Sequence, residues 1–156
     1  MATYTPEQFD DLLTRFANGL PVAVNRATLV AAQQLRGDIP GRIHRRGGTK
    51  DVDGGTREYK SKSYEKKRKN EGLQINKVDH TFKGDLQRSY KLLVSKKQID
   101  LRIFGNDNVK KARGNERWFI QENGAPVWEA SKAEEKKARK AFDTEISKYI
   151  KRFFNG

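Results

Sequence analysis

The sequence predicts an α+β domain with an N-terminal helix or helix pair, a small antiparallel sheet with a hairpin, a long basic loop and a C-terminal helix. Three observations predict this class: a capped helical pattern near the start, two alternating apolar runs in the middle, and an amphipathic helical pattern at the end. Helices segregated from strands along a chain are typical of α+β folds. At 156 residues, the chain has the usual length of one domain and can bury a core of its own.

Residues 1–36 form the predicted N-terminal helical part. Thr5 has the position of a helix cap, Pro6 that of the first helical residue, and Gln8 that of the reciprocal acceptor in a capping box. Apolar residues then recur at helical spacing until Asn18-Gly19-Leu20-Pro21 interrupts them, and an alanine-rich helical pattern resumes afterwards. Two helices or one kinked helix explain this pattern equally well.

Residues 37–72 are predicted to be a flexible basic arm. Two glycine pairs and few large apolar residues occur there, and residues 41–70 contain 11 lysines and arginines against 4 acids, which places +7 of the net charge of +13 in this segment. Such a composition is typical of a mobile segment. A solvated loop without a partner and a contact with DNA or an acidic protein explain the charge equally well. The candidate contact residues of the arm are Arg42, Arg45, Arg46, Lys66, Lys67, Arg68 and Lys69.

Residues 73–127 contain the predicted sheet. Leu73 and residues 75–78 indicate a short strand, and two alternating runs follow it on either side of Lys96-Lys97-Gln98. Alternation of apolar and polar residues is typical of an antiparallel hairpin with one buried face. The polar stretch 106–115 is predicted to be a loop. The apolar residues of the two runs are Tyr90, Leu92 and Val94, and Ile99, Leu101 and Ile103.

An aromatic cluster and a last helix complete the chain. We expect Trp118, Phe119 and Trp128 to anchor either the core or a subunit interface, since aromatic side chains serve both purposes. Residues 128–156 contain the predicted C-terminal helix, which begins with a second capping-box pattern, Ser131-Lys132-Ala133-Glu134. The apolar residues of this helix lie along one stripe, and we expect that stripe to cover the sheet.

Composition and charge restrict the classes of partner. Lysine and arginine number 33 against 20 acidic residues, an excess that favours an anionic neighbour such as nucleic acid, an acidic membrane surface or an acidic protein face. Because the chain has no cysteine, a disulfide framework and a thiolate site are both excluded. No leader pattern and no run long enough to span a bilayer occurs, so we expect a soluble protein without membrane contact.

No motif for catalysis, metal binding or a cofactor stands out. The histidines, His44 and His80, stand alone, whereas a zinc site needs three or four ligands. The glycine-rich stretch 41–55 lacks the Gly-Lys-Ser/Thr ending of a phosphate loop and the flanking elements of a dinucleotide fingerprint. We therefore expect no metal, no cofactor and no enzymatic activity. A small hydrolase that uses Ser89 or a histidine is the enzymatic alternative.

A short turn stands directly before the first run of the hairpin. Gly84 can adopt a positive φ angle that reverses the chain, Leu86 can fill the core beneath the turn, and Ser89 can bond to a neighbouring backbone group. A structural role explains all three residues.

The order of these motifs resembles that of the tail-completion and virion-morphogenesis proteins of tailed bacteriophages, which include neck proteins beside the portal. The resemblance covers most of the chain: an alanine-rich helix, a basic arm, the approach "YEKKRKNEGLQINKVDHTFKGDLQRSY", the hairpin behind it, and a closing helix. Such proteins typically show Thr-Gly-x-Leu-x-x-Ser at the turn, which Gly84, Leu86 and Ser89 match, although a lysine replaces the threonine. Glu122 and Gly124 are similar to the Glu-x-Gly of the family.

The resemblance implies a structural virion component without enzymatic activity. Proteins of this family assemble as a ring, here expected to hold six or twelve copies, that joins the portal or its adaptor to the tail and lets DNA pass. The implied location is the head–tail junction of the virion, after synthesis in the host cytoplasm, with portal, adaptor and tail proteins as partners and a non-specific DNA contact as an option. The main alternative is a basic nucleic-acid-binding module that uses the 41–70 arm and forms no ring.

Overall fold

The α+β class is confirmed by the computed structural model, which describes residues 4–44, 48–78, 85–95 and 99–154. A two-stranded antiparallel sheet stands among helices in this part of the chain, and none of these helices is both long and apolar enough to cross a membrane. In chain order the elements are α1 (Pro6–Ile43), α2 (Lys62–Asn70), α3 (Asp85–Arg88), β1 (Tyr90–Val94), β2 (Ile99–Ile103), α4 (Asn106–Asn123) and α5 (Lys132–Phe154).

The N-terminal part is one continuous helix, α1, which extends beyond the predicted limit at position 36. Its capping box is confirmed: the Thr5 hydroxyl accepts a hydrogen bond from the Gln8 amide at 3.3 Å, and the Gln8 side chain accepts one from the Thr5 amide at 3.0 Å. Pro21 and Pro40 both lie inside α1, although each proline removes one backbone donor from the helix. Packing against α5 and the core stabilises the helix around both positions.

Helix α5 runs antiparallel to α1 and packs along it. At one end Arg42 Nε lies 2.9 Å from Glu134 Oε1, and near the other the Tyr149 hydroxyl donates to the Phe16 carbonyl at 2.7 Å. The second capping box is confirmed, because Glu134 accepts a hydrogen bond from the Ser131 amide at 2.8 Å. The expectation that the α5 stripe covers the sheet is wrong, because α5 packs on α1 and it is α1 that contacts both strands.

The predicted hairpin is confirmed as strands β1 and β2. They pair antiparallel, with Tyr90 opposite Ile103 and Leu92 opposite Leu101. Tyr90 is buried in the core, and Leu101 and Ile103 pack against that core. At the other end of β1 Val94 is 61% exposed, so the buried face is confined to the Tyr90 end of the hairpin. The connecting loop, 96–98, lies outside the described residues.

The predicted loop at 106–115 is wrong, because this stretch is the first part of α4. Ala112 and Phe119, two helical turns apart, are buried, whereas Arg113 and Arg117 between them are exposed. This spacing is that of an amphipathic helix with a narrow apolar face, which a high content of polar residues hides. Gly124, with a φ of 71°, ends α4 in the left-handed conformation that glycine adopts without strain.

The predicted short strand at 73–78 is also wrong, since the structure places these residues in irregular backbone. The Val78 amide donates to the Arg57 carbonyl at 2.7 Å, and the Lys77 amide donates to the Gln74 side chain at 3.0 Å. These bonds satisfy backbone donors without a ladder to a neighbouring strand.

The segment 37–72 does not form one flexible arm. Its start belongs to α1 and its end to α2. Thr49, Asp51, Arg57 and Arg68 are buried within it. Hydropathy does not predict this burial, because hydrogen bonds and charge pairing, rather than apolar area, make it favourable.

The core lies where the C-terminal end of α1 meets the hairpin and α4. Its buried residues come from five segments of the chain that are distant in sequence. Burying an aliphatic or aromatic side chain contributes about 1.5–3 kcal/mol, so the core requires all five segments to assemble together. These residues are Ile39, Ile43, Val78, Tyr90, Phe119 and Val127.

Close packing of α1 on α5 predicts that Gly19→Ala is destabilising. A Cβ atom at Gly19 would lie 2.5 Å from the Tyr149 hydroxyl oxygen. That hydroxyl donates a hydrogen bond to the Phe16 carbonyl, and the rings of Tyr149 and Phe16 stack with centroids 5.3 Å apart. We expect the substitution to lower the free energy of unfolding by about 1–2 kcal/mol in urea denaturation, although alanine is the better helix former.

Gly37→Ala provides the matched control, because a Cβ at Gly37 in the same helix would meet nothing within 4 Å. It is expected to raise the free energy of unfolding by about 0.5–1 kcal/mol. In a Tyr149→Phe background the cost of Gly19→Ala should largely disappear, since the clashing oxygen is gone. Equal effects of the two glycine substitutions in the wild-type chain would contradict the close contact.

Candidate functional site

The predicted site residues that the structure describes lie in three places: the turn before β1, α4 and the loop after it, and the 37–72 segment. Asp51 organises the last of these. One carboxylate oxygen accepts hydrogen bonds from the amides of Asp53 at 3.0 Å and Gly55 at 2.8 Å, and the other accepts one from the Asn123 side chain at 2.7 Å. Asp51 is 1% exposed, so these donors replace water around a buried carboxylate. The hydrogen bonds of Asp51 thus connect the turn at 51–55 to Asn123 at the end of α4.

Arg42 binds three internal acceptors. Its Nε donates to Glu134 at 2.9 Å, its Nη1 to the Lys50 carbonyl at 2.7 Å, and its Nη2 to the Glu129 carbonyl at 2.6 Å. The planar guanidinium suits such a set of acceptors. Within the subunit the donors of Arg42 thus join α1, α5 and two loops, and its contact with DNA or a partner stays a prediction.

Loss of this arginine is expected to destabilise the fold strongly. Arg42→Met keeps much of the aliphatic stem but leaves the Glu134 carboxylate, 7% exposed, without its cation. We expect the free energy of unfolding to fall by about 3 kcal/mol, measured by urea denaturation.

Arg36→Met is the matched control, because Arg36 is exposed on the same helix, and a change within about 0.5 kcal/mol is expected. Adding Glu134→Gln to Arg42→Met should restore part of the loss, since no uncompensated charge is then buried. Similar losses for Arg36→Met and Arg42→Met would contradict the role of Arg42.

Arg68 is likewise an internal residue. It is 0% exposed, its Nε donates to the Gln74 carbonyl at 2.9 Å, and its guanidinium lies 5.0 Å from the centre of the Tyr59 ring. Within the subunit the side chain stabilises the turn after α2, and its contact with a partner stays a prediction. The other predicted arm contacts divide into Lys66, Lys67 and Lys69, exposed on α2, and Arg45 and Arg46, which lie outside the described residues.

Glu122, the acid of the Glu-x-Gly motif, binds two cations of the 37–72 segment. Arg57 Nη2 lies 2.6 Å from Glu122 Oε1, and Lys60 pairs with the same oxygen. The Arg57 side chain is 3% exposed, and its guanidinium lies 4.5 Å from the centre of the Trp118 ring. The hydrogen bond from Lys60 and the charge of Arg57 hold the pKa of Glu122 below its ordinary value of 4.5. Glu122 thus fastens the segment to α4.

The direction of this pKa shift predicts how Glu122→Gln responds to pH. A carboxyl group whose pKa is lower in the folded than in the unfolded chain stabilises the fold above its ordinary pKa, and this contribution disappears as pH falls through the folded value. Urea denaturation should therefore show Glu122→Gln less stable than wild type near pH 7. The difference should shrink as pH falls below 4.5.

Glu129→Gln is the control, because Glu129 is exposed and its substitution should have a small effect at every pH. A difference between wild type and Glu122→Gln that stays constant from neutral to acid pH would count against the ion pair.

The turn before β1 is described from residue 85 onward, so Gly84 lies outside the described residues. Leu86 is 7% exposed, and the Ser89 hydroxyl donates a hydrogen bond to the Leu86 carbonyl at 2.6 Å. The Ser89 carbonyl accepts one from the Phe104 amide at 3.0 Å, which joins the turn to the end of β2. This is the geometry of a serine that stabilises backbone.

The three candidate aromatic anchors have different surroundings. Phe119 is 0% exposed in the core. Trp128 packs against the core, with its indole N–H donating to the Ala112 carbonyl at 2.8 Å and its ring centroid 6.0 Å from that of Tyr90. Trp118 is 39% exposed, so of the three it leaves the most surface for a partner.

A half-open cavity of about 380 Å³ lies between the hairpin and α4. Tyr90 and Trp128 line its inner side, and Glu116 lines it from α4. Burial raises the pKa of the Tyr90 phenol, and the Glu116 carboxylate accepts hydrogen bonds from the amides of Val127 at 3.1 Å and Trp128 at 3.3 Å. The Glu116 carboxylate on α4 therefore orders the loop that follows this helix.

Of the two histidines, the structure describes His44. His44 is buried, with its ring centroid 6.2 Å from that of Tyr90, and His80 lies outside the described residues. Across the four described ranges, no group of three or more histidine, aspartate or glutamate side chains is arranged to hold a metal ion.

The first turns of α1 present an apolar surface that the sequence does not reveal as exposed. Phe9 is 49% exposed and Leu13, one turn further, is 41% exposed. Phe16, on the next turn, contacts the 45% exposed Phe154 with ring centroids 5.3 Å apart. Because α5 ends there, the start of α1 projects beyond its partner helix. We refer to Phe9, Leu13 and Phe154 as the apolar end.

Sequence reasoning also missed Asp51 and Arg57, whose burial organises the 37–72 segment. A local signal for Asp51 exists, since an aspartate shortly before Gly54-Gly55 is typical of a turn in which the side chain accepts backbone hydrogen bonds. No local signal marks Arg57, because its partners Glu122 and Trp118 are distant in sequence.

Comparison of the chain with models of protein families, with curated proteins and with solved structures gives no match. The resemblance to phage tail-completion proteins therefore rests on the sequence motifs alone, and membership of that family stays a prediction.

Proposed function

We propose that the protein is a structural, non-enzymatic component of a tailed bacteriophage virion. In this role it is a tail-completion or neck protein, and six or twelve copies form a ring between the portal or its adaptor and the tail. The ring lets DNA pass. The choice of this assembly is supported by the order of the motifs along the chain, from the alanine-rich helix through the Gly84–Ser89 turn and Glu122-Asn123-Gly124 to the closing helix.

The observation that carries the proposal is the apolar end of α1. Phe9 and Leu13 are 49% and 41% exposed on successive turns of a helix whose partner, α5, ends beside Phe16. Large contiguous apolar patches are uncommon on monomeric soluble proteins and mark surfaces that another protein covers. A neighbouring subunit or a neck partner would cover this one.

The hairpin provides a further surface for assembly. Within the described residues β1 and β2 pair only with each other, so each strand has an open edge. Open edges are templates for pairing with another chain. Both features suit a subunit whose final stability depends on its neighbours.

The proposal predicts that substitutions at the apolar end block assembly without unfolding the subunit. We expect the wild-type protein to form ring-sized particles as its concentration rises, measured by light scattering and electron microscopy. Phe9→Ser combined with Leu13→Ser should remain monomeric with an unchanged circular dichroism spectrum, because both side chains are already exposed.

Val22→Ser is the control, since Val22 is 71% exposed on the same helix and lies outside the apolar end. It should assemble like wild type. A wild-type protein that stays monomeric at every concentration, or assembly that the Phe9 and Leu13 substitutions leave unchanged, would argue against the proposal.

A further inference from the structure

The outward side of α5 carries a row of cations. Lys136, Lys140 and Lys151 fall within about 60° of each other on the helix, which turns about 100° per residue, and Arg139 flanks them. All four are exposed. In the described part of the chain no ion pair joins any of these four side chains to an acid, whereas Lys137 and Lys148 on the same helix pair with Asp38 and Glu145. We refer to these four residues as the cation row: Lys136, Arg139, Lys140 and Lys151.

Two of the four acids of α5 are engaged away from this row, whereas Glu135 and Asp143 are exposed. Glu134 is buried against Arg42, and Glu145 faces α1, where it pairs with Arg26 at 3.4 Å and with Lys148. A shallow depression of about 530 Å³ runs along the outer side of the helix. Its charged lining consists of five cations and one carboxylate: Lys136, Arg139, Lys140, Lys148, Lys151 and Asp143.

The length of the row matches a regular polyanion. From Lys136 to Lys151 the helix rises about 22 Å. A nucleic-acid duplex carries one phosphate charge per roughly 1.7 Å of its axis, so it presents on the order of a dozen phosphates over this length. A straight duplex of this length therefore carries more phosphates than the row has cations.

A lipid surface fits this side of α5 less well. Helices that bind membranes insert an apolar face between lipids, whereas the apolar face of α5 packs against α1 and the depression is lined by charged and hydroxyl residues. The exposed apolar side chains of the helix, Ile150 and Phe154, lie in its last turns. They are therefore at the end of the row and not along it.

We propose that the cation row binds the phosphate backbone of duplex nucleic acid. The binding reads no sequence, because lysine and arginine contacts to phosphates position a duplex without distinguishing bases. This site is separate from the apolar end of α1 and from α2, and it does not depend on ring assembly.

The test compares two variants that lose the same charge from two different helices. One is Lys136→Gln, Lys140→Gln and Lys151→Gln; the other is Lys62→Gln, Lys66→Gln and Lys69→Gln, which removes three exposed lysines from one side of α2. Affinity for a short fluorescein-labelled DNA duplex is measured by anisotropy across a series of salt concentrations. Circular dichroism and thermal melting verify that both variants are folded.

For the wild-type protein we expect log affinity to fall with log salt with a slope of about −3.6, since each of four phosphate contacts contributes about 0.9. The α5 variant should have a slope shallower by about 2.7, and the α2 variant a slope within about 0.9 of wild type. Lys140→Gln alone should make the slope shallower by about 0.9. This single variant still tests the proposal if the triple variant does not fold.

Four outcomes would overturn the proposal. A larger loss in the α2 variant would place the contact on the predicted arm, and equal losses in both variants would show that only net charge matters. Tighter binding to phosphatidylglycerol vesicles or to polyglutamate than to the duplex, at equal salt, would identify another class of partner. A wild-type protein that does not bind the duplex would leave the row without this function.

Discussion

The charged junction around Arg42 is the interaction on which the rest of the structure depends. Removing a guanidinium and the Glu134 carboxylate from water is unfavourable unless all of their partners are in place. Those partners are Glu134 on α5, the Lys50 carbonyl in the chain after α1, and the Glu129 carbonyl in the chain before α5. The junction therefore sets the antiparallel register of α1 and α5, and this register brings Tyr149 beside Gly19 at the other end.

The same junction explains how a segment with few apolar residues is folded against the core. Arg42 holds the Lys50 carbonyl, and Asp51, the next residue, binds the amides of its own turn and the side chain of Asn123. Arg57 then reaches Glu122 on α4. A series of hydrogen bonds and ion pairs thus replaces hydrophobic burial as the source of order.

Arginine and lysine have separate uses in this chain. Three arginines with little exposed side chain, Arg42, Arg57 and Arg68, bind carboxylates, carbonyls or aromatic rings. The guanidinium suits these positions because it is planar, carries five donors and is more weakly hydrated than an ammonium group. The lysines of α2 and α5 are exposed to water, although Lys137 and Lys148 also pair with acids. Part of the positive charge of the 37–72 segment is therefore structural.

What the sequence by itself determined are the features set by neighbours within a few residues. Both capping boxes, at Thr5 and Ser131, and the alternation that forms β1 and β2 depend on local spacing, and all were predicted correctly. Only the tertiary structure decided that α5 covers α1 instead of the sheet, that Arg68 is buried, and that Phe9 is exposed. The physical reason is that burial depends on which distant groups reach a side chain, and no local pattern records that.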